Sequence, residues 1–209
     1  LVIYGARISL YVGLAAVSLE VLIGVSFGMV AGYFGGKIDE ILMRITDIIL
    51  TLPTLMLLIV AVTLFQVRSI HIIIMVMGIF GWPFVARVVR SEFLTLRERT
   101  YVEAAKSMGA SNRRIMVSHI LPNALSTIIV LATMEIPWYI FYEATLTFLG
   151  FGDPASPSWG VLLELGYYYM RQQWWMITFP GLALFITSLG FNLFGDGLRD
   201  ALDVKVREY

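Results

Sequence analysis

The stretch Ile8–Phe34, ISLYVGLAAVSLEVLIGVSFGMVAGYF, decides the fold class. It is an unbroken apolar run with a single ionisable residue, Glu20. About 20 helical residues cross the ~30 Å hydrocarbon layer of a bilayer, so this run is long enough to span it with tilt to spare. Gly24, Gly28 and Gly32 recur at intervals of four, a doubled G-x-x-x-G. In lipid such a ridge lets a second helix approach closely, so these three glycines are expected to be packing residues. Gly13 and Glu20 fall near the same face, which turns Glu20 toward protein rather than lipid.

Four further runs have the length of a span: Ile41–Phe65, Ile70–Val89, Pro122–Gly150 and Trp174–Gly195. All are continuous rather than alternating, which disfavours a β-barrel. Across the 209 residues, 58% are hydrophobic and only 14% charged, against about 25% in a soluble domain. Too few charges exist to cover a water-facing surface, so a soluble enzyme is close to ruled out. The expectation is an all-α integral membrane protein, one domain over 1–209 with about five transmembrane helices.

Net charge is zero, so nothing points to nucleic acid. Cysteine is absent, and the two histidines, His71 and His119, are far apart, so no metal site and no catalytic residues are expected. The nearest approach to a P-loop, Ala31–Ile38, lacks the first glycine and the Ser/Thr after Lys37, and it follows a membrane helix. The chain starts at Leu1 without a leader pattern, which reads as a piece of a longer membrane protein.

Orientation follows from Lys and Arg. One set of connections, with the tail Asp196–Tyr209, holds twelve of the fifteen basic residues, including Lys37, Arg44, Arg87, Arg199, Lys205 and Arg207; the other holds Arg7, Arg68 and Arg171. The basic side is expected in the cytoplasm, with the N-terminus of this chain outside and the C-terminus inside.

Each of the last four spans holds one proline: Pro53, Pro83, Pro137 and Pro180. Proline frees a carbonyl and kinks a helix, which suits a bundle that moves and also a static one. Within the spans, Arg44 and Asp47 are expected to pair locally at i,i+3. Glu135 and Glu143 either line a polar path, with Asn192 as a further candidate, or hydrogen-bond a neighbouring helix. The outer loop 151–173 reads as a turn followed by a short interfacial helix carrying Leu162, Leu163, Gly166 and Met170. Its aromatic cluster, Tyr167–Tyr169 with Trp174 and Trp175, reads as an interfacial belt, with peptide contact as the other reading.

The loop 95–121 is the long polar connection. It predicts two short helices, about Leu96–Met108 and Asn112–Ile120, with Gly109 as the left-handed residue after the first and Ser111 as N-cap of the second. Ala104, Ala105 and Gly109 would leave a shallow surface framed by Arg97, Arg99, Arg113 and Arg114. It reads as a docking hairpin or as an amphipathic connector lying on anionic lipid.

Within it, Glu103-Ala104-Ala105, three residues, Gly109, nine residues, then His119-Ile120-Leu121-Pro122 resembles the EAA loop of ABC importer permeases, E-A-A-x3-G-x9-I-x-L-P. His119 departs from the general pattern. Together with Gly32-Tyr33-Phe34-Gly35-Gly36, Phe148-Leu149-Gly150-Phe151-Gly152, Pro157-Ser158-Trp159-Gly160 and the run Asn192–Asp200, it resembles the dipeptide/oligopeptide/nickel branch, C-type subunit. That family has six spans in a MetI-like fold, so the first span and an outer segment would be missing here.

The resemblance implies a permease subunit, not an enzyme, of an ATP-driven importer for peptides or related solutes in the inner membrane of a bacterium or archaeon. It implies a second, B-type permease, two ATPase subunits that hold ATP and Mg, and an extracytoplasmic substrate-binding protein. It gives no cofactor to this chain beyond contact with membrane lipid. Glu103, Ala104, Ala105, Ser107, Met108, Gly109 and Arg113 would be the ATPase-coupling residues. The alternative from the residues alone is a proton-coupled secondary transporter relaying through Glu20, Glu135 and Glu143, though five spans supply no inverted repeat.

Overall fold

Helix α1 (Val2–Phe34) and helix α4 (Ile70–Leu96) run side by side because the glycine ridge removes the side chains between them. A Cβ on Gly24 would stand 2.6 Å from that of Val85; one on Gly28 would stand 2.5 Å from the Ala86 carbonyl oxygen; one on Gly32 would stand 2.6 Å from Phe93 Cβ. Three successive turns of α1 thus touch α4 at backbone range, where dispersion between close-packed atoms holds the pair in a solvent without a hydrophobic drive. Gly13 does not share the ridge's face as expected: it meets Ile140 of the later helix Leu121–Leu146, so α1 uses one glycine face against α4 and another against that helix.

These elements belong to a computed structural model in which residues 1–203 are described. Lys205 and Arg207, counted above for orientation, and the rest of the tail from 204 lie outside the described residues. Every regular element among the described residues is helical. After α1 come α2 (Gly36–Leu50), α3 (Thr54–Leu64), α4, and α5 (Thr100–Ser107). Next are α6 (Asn112–Arg114), a π-helical segment Ile115–Ile120, α7 (Leu121–Leu146), and a second π segment Thr147–Phe151. Helices α8 (Trp159–Tyr168) and α9 (Trp175–Asp203) follow. Among the described residues, four helical stretches are long and apolar enough to cross a membrane, Val2–Phe34, Ile70–Leu96, Asn112–Phe151 and Trp175–Leu202, and the bent pair α2–α3 makes a fifth if taken as one span.

The run Ile41–Phe65 departs from expectation. It is no single kinked helix: α2 and α3 meet at 88°. Thr51 and Leu52 form a turn, and Pro53 caps α3 with φ −60° and ψ 116°. Pro83, Pro137 and Pro180 instead sit inside unbroken helices.

The local pair Arg44–Asp47 does not form either. Arg44 pairs with Glu40 at 3.2 Å, one turn back, while Asp47 takes Arg87 of α4 at 2.6 Å. Helix α2 lies against α4 with its acidic face turned to α4's basic end, and that tertiary contact outcompetes the local one.

The hairpin differs in both arms: α4 itself runs to Leu96, so the first arm is only Thr100–Ser107, and Ser111 stands at the N-cap position of the second without a side-chain hydrogen bond to it. Asn112–Phe151 runs as one helix of 40 residues, so Pro122 does not begin a separate span. The π segment supplies the reason: Leu121 N–H bonds the Met116 carbonyl five residues back, so the ladder is already shifted where proline lacks a donor. Asn123 Nδ2 also donates to the His119 carbonyl at 2.6 Å.

Two apolar cores fill the bundle. One gathers Val12, Ile73, Met77, Ile140, Leu146 and Trp159; the other, at the hairpin end, gathers Val89, Phe93, Val102, Ala105, Ile115 and Ile120. Outward, α9 exposes Phe185, Ile186, Leu193 and Phe194, a face suited to lipid or a partner helix.

Candidate functional site

The structure places the sequence candidates in three separate regions. At the hairpin, α4 ends at Leu96 with Arg97 as its C-cap, and α5 packs against the end of the bundle. Its termination is a Schellman motif: Gly109 N–H bonds the Lys106 carbonyl at 2.9 Å and Ala110 N–H bonds that of Ala105 at 3.1 Å. Gly109 has φ +79°, the left-handed region that glycine occupies without a Cβ penalty.

Helix α5 divides its residues between two faces. Val102 and Ala105 are buried against Phe93, Ile115 and Ile120. Glu103, Ala104, Ser107, Met108 and Gly109 are exposed, Met108 at 81%, and so is Arg113. Ala105 therefore faces the chain's own core, not the outer surface on which the sequence put it. Arg97 is also drawn inward, donating to the carbonyls of Gly32 and Tyr33 at 3.1 and 3.3 Å, where it ties off the carbonyl end of α1. Tyr33 links α1 to the hairpin by donating to Asn112 Oδ1 at 2.9 Å, and Lys106 Nζ stands 5.9 Å from the Tyr33 ring centroid. These contacts tie the hairpin to the ends of α1 and α4.

The second region is a cleft of about 300 Å³ bordered by α1, the α2–α3 break, α4 and α7. Glu20 and Glu135 line it, with Thr54, Trp138, Tyr139 and Tyr142. The sequence reading named the two glutamates but not the tyrosines. A signal was present: Glu135, Tyr139 and Tyr142 are spaced i, i+4, i+7 on one face of α7.

Glu143 and Asn192 are not part of this cleft. Glu143 is 1% exposed and holds elements together: it accepts from Ser9 Oγ at 3.2 Å and Thr147 Oγ1 at 3.0 Å, while Ser9 Oγ accepts the Trp159 N–H at 3.1 Å. Trp159 Nε1 also donates to the Val2 carbonyl at 2.9 Å, so this polar knot pins the start of α8 to α1 and α7. Asn192 is exposed on α9.

The third region is the loop before α8. Asp153 accepts from Ala155 N–H at 2.9 Å and Ser156 Oγ at 3.0 Å, and Ser158 caps α8 by accepting the Val161 N–H at 3.3 Å. Tyr167, Tyr168, Trp174 and Trp175 are exposed beside it.

Comparison with known proteins gives a consistent set of likenesses. A family model described as binding-protein-dependent transport system inner membrane component matches residues 24–208. The chain is 43% identical over 205 residues to the oligopeptide transport system permease protein OppC of Bacillus subtilis, covering 98% of this chain and 67% of that protein. It is 43% identical over 206 residues to the dipeptide transport system permease protein DppC of the same organism, covering 98% and 64%. It is 41% identical over 207 residues to the glutathione transport system permease protein GsiD of Pectobacterium atrosepticum, covering 99% and 68%. The chain spans about two thirds of the length of these relatives. Among solved structures, an inward-facing form of the MetNI methionine ABC transporter aligns with TM-score 0.77 at 21% identity, over 96% of this chain and 95% of that one. An amino acid ABC transporter aligns with TM-score 0.71 at 17% identity, over 96% and 93%. The structural likeness extends to the fold.

Proposed function

Because the chain belongs to the family of binding-protein-dependent transport system inner membrane components, we propose that it is a permease subunit of an ATP-driven importer of peptides or related small solutes. Its place is the inner membrane of a bacterium or archaeon. The oligopeptide, dipeptide and glutathione permeases among its relatives favour small peptides as cargo over nickel chelates.

The observation that carries this reading is the form of the hairpin. Helix α5 offers Glu103, Ala104, Ser107, Met108 and Gly109 outward on a base locked to α1 and α4. A short helix with a small-residue outer face fits a groove on a partner, and a rigid base converts the partner's movement into rotation of the bundle. In this reading the outward residues of α5, with Arg113, meet an ATPase subunit, and Ala105 supports them from inside. This chain hydrolyses nothing and holds no cofactor; ATP and Mg belong to the two ATPase subunits. A B-type permease completes the pathway, and a substrate-binding protein delivers cargo from outside. The hairpin then lies in the cytoplasm, with residue 1 outside.

The test is reconstitution of the complete subunit with its permease partner, ATPases and binding protein in vesicles. Peptide uptake that requires ATP and follows the ATPase subunits supports the reading. Uptake that follows a proton gradient and ignores those subunits would replace it with the relay through Glu20 and Glu135. Orientation is read separately from a cysteine introduced at Ser111, which should resist an impermeant label applied to intact cells.

A further inference from the structure

Among the described residues, the cleft is lined by two carboxylates and no basic side chain. Glu20 is 1% exposed, and its Oε2 has no hydrogen-bond partner among the described residues. A carboxyl oxygen withheld from water and left unpaired is costly, so it calls for a proton, a donor or a counter-charge. The surrounding geometry makes this room rather than closing it. Gly81 is the reason Glu20 and Tyr139 can share the floor: a Cβ there would collide with Tyr139 Oη and stand 3.3 Å from Glu20 Oε1. The Tyr139 hydroxyl is itself turned to the Met77 carbonyl, 3.4 Å away. The nearby arginines of α4 are engaged elsewhere, Arg87 with Asp47 and Arg90 with Asp39.

Apart from Leu50, Thr54 and Gly81, the lining is acidic and aromatic. Glu135 precedes Tyr139 by one turn of α7, and Phe80, Phe84 and Trp138 line the rest. Carboxylates accept the N–H donors of a cation, and aromatic faces attract its charge. A volume of about 300 Å³ suits an amino group with the residue that bears it.

We propose that this cleft binds the alkylammonium group of a cationic solute, held by the negative charge of the Glu20 and Glu135 carboxyls that border it. With a peptide as cargo, that group is the N-terminal α-ammonium or a lysine side chain. The identity of the cargo rests on the importer reading; the site does not.

The absence of cysteine in the chain allows a direct test. Thr54→Cys places a thiol in the cleft wall of the assembled complex in nanodiscs. Its modification by a trimethylammonium-ethyl methanethiosulfonate is compared with that by the sulfonatoethyl analogue, each normalised to a free thiol. The cationic reagent should react about tenfold faster or more, as expected of a cleft lined by one sign of charge, and Glu20→Gln with Glu135→Gln should bring the ratio to about one. Glu135→Asp should retain most of the preference. Dialanine with a free amino terminus, or N-acetyl-lysine amide, should protect the thiol, whereas N-acetyl-alanine amide should not; which of the first two protects identifies the source of the ammonium. A parent ratio near one, a ratio unchanged by the Gln variants, or equal protection by the neutral amide overturns the proposal. So does failure of both reagents to reach the thiol of Thr54→Cys and a second thiol from Leu50→Cys. Absence of ATP-driven uptake with the charge preference intact would overturn the importer reading alone.

Discussion

Arg90 of α4 grips Asp39 of α2 at two points, with Nη2 2.6 Å from Oδ2 and Nε donating to Oδ1. The pair is largely shielded, 31% and 15% exposed at the two side chains, whereas the neighbouring Arg87–Asp47 pair is 53% and 61% exposed. The same charges therefore differ in worth. A double-mutant cycle on Arg90→Ala and Asp39→Ala should give a coupling of about 1.5–3 kcal/mol, the range of a charge-assisted bidentate contact. The cycle on Arg87 and Asp47 should give less than about 1 kcal/mol. Denaturant unfolding in detergent measures both, and equal couplings would mean that α2 is not held where the structure has it.

The glycine ridge gives a second prediction. A side chain on Gly28 would meet the Ala86 carbonyl at 2.5 Å and Arg90 N at 3.0 Å, both backbone atoms that cannot rotate aside. Gly28→Leu should separate α1 from α4 and lower stability by at least about 2 kcal/mol, as overpacking does. Val25, one turn earlier and only half-buried, should accept Leu with a small loss. Thermal stability in detergent distinguishes them; equal values would place α1 against lipid on that face.

The polar knot at Glu143 predicts a structural rather than a transport phenotype. Removing its carboxylate leaves Ser9 and Thr147 without their acceptor, and Ser9 orients the Trp159 amide. Glu143→Ala should loosen α8, seen as faster hydrogen exchange across Trp159–Leu162, and should leave the charge preference of the cleft intact. Unchanged exchange at α8 would show that the knot holds nothing.

The apolar helices other than Ile41–Phe65, the glycine ridge and Gly109 as the end of α5 were legible because each is a local pattern: a run, a spacing, a single left-handed residue. The failures share a cause in distance along the chain. Pro53 carries the same signal as Pro83, Pro137 and Pro180, yet it alone among them marks a break; what differs is the non-helical turn Thr51–Leu52 before it. Asp47 looked paired with Arg44 until Arg87, forty residues on, was brought beside it. The cleft draws its lining from five helices, so spacing on one of them could suggest Glu135, Tyr139 and Tyr142 but not their meeting with Glu20 and Thr54.

The two alanines of the hairpin should behave oppositely. Ala105 is 2% exposed, packed in the core with Phe93 and Ile120, so Ala105→Glu buries an unpaired carboxylate and should unfold the hairpin itself. Ala104 is exposed, and Ala104→Glu should leave the chain as stable as the parent while weakening retention of the ATPase subunits. Thermal unfolding and co-purification separate the effects. If Ala104→Glu retains the ATPases fully, that face of α5 is not their contact.

Gly109 allows strain and docking to be told apart. Its φ of +79° penalises any side chain, but a Cβ there meets nothing within 4 Å, so substitution acts through the backbone alone within this chain. Asparagine tolerates the left-handed region, so Gly109→Asn should cost only a few tenths of a kcal/mol, while Gly109→Ala and Gly109→Arg should each cost about 1–2 kcal/mol. On stability, then, Ala and Arg should match. On coupling they should not: alanine adds one methyl to the outer surface, whereas arginine adds a long charged arm where Met108 and Gly109 stand exposed. In vesicles, Gly109→Asn should import near the parent rate and Gly109→Ala somewhat below it. Gly109→Arg should lose most ATP-driven uptake although the spans insert normally. Should Gly109→Arg import as well as Gly109→Ala, the end of α5 does not enter a groove, and the hairpin acts as a connector at the membrane surface.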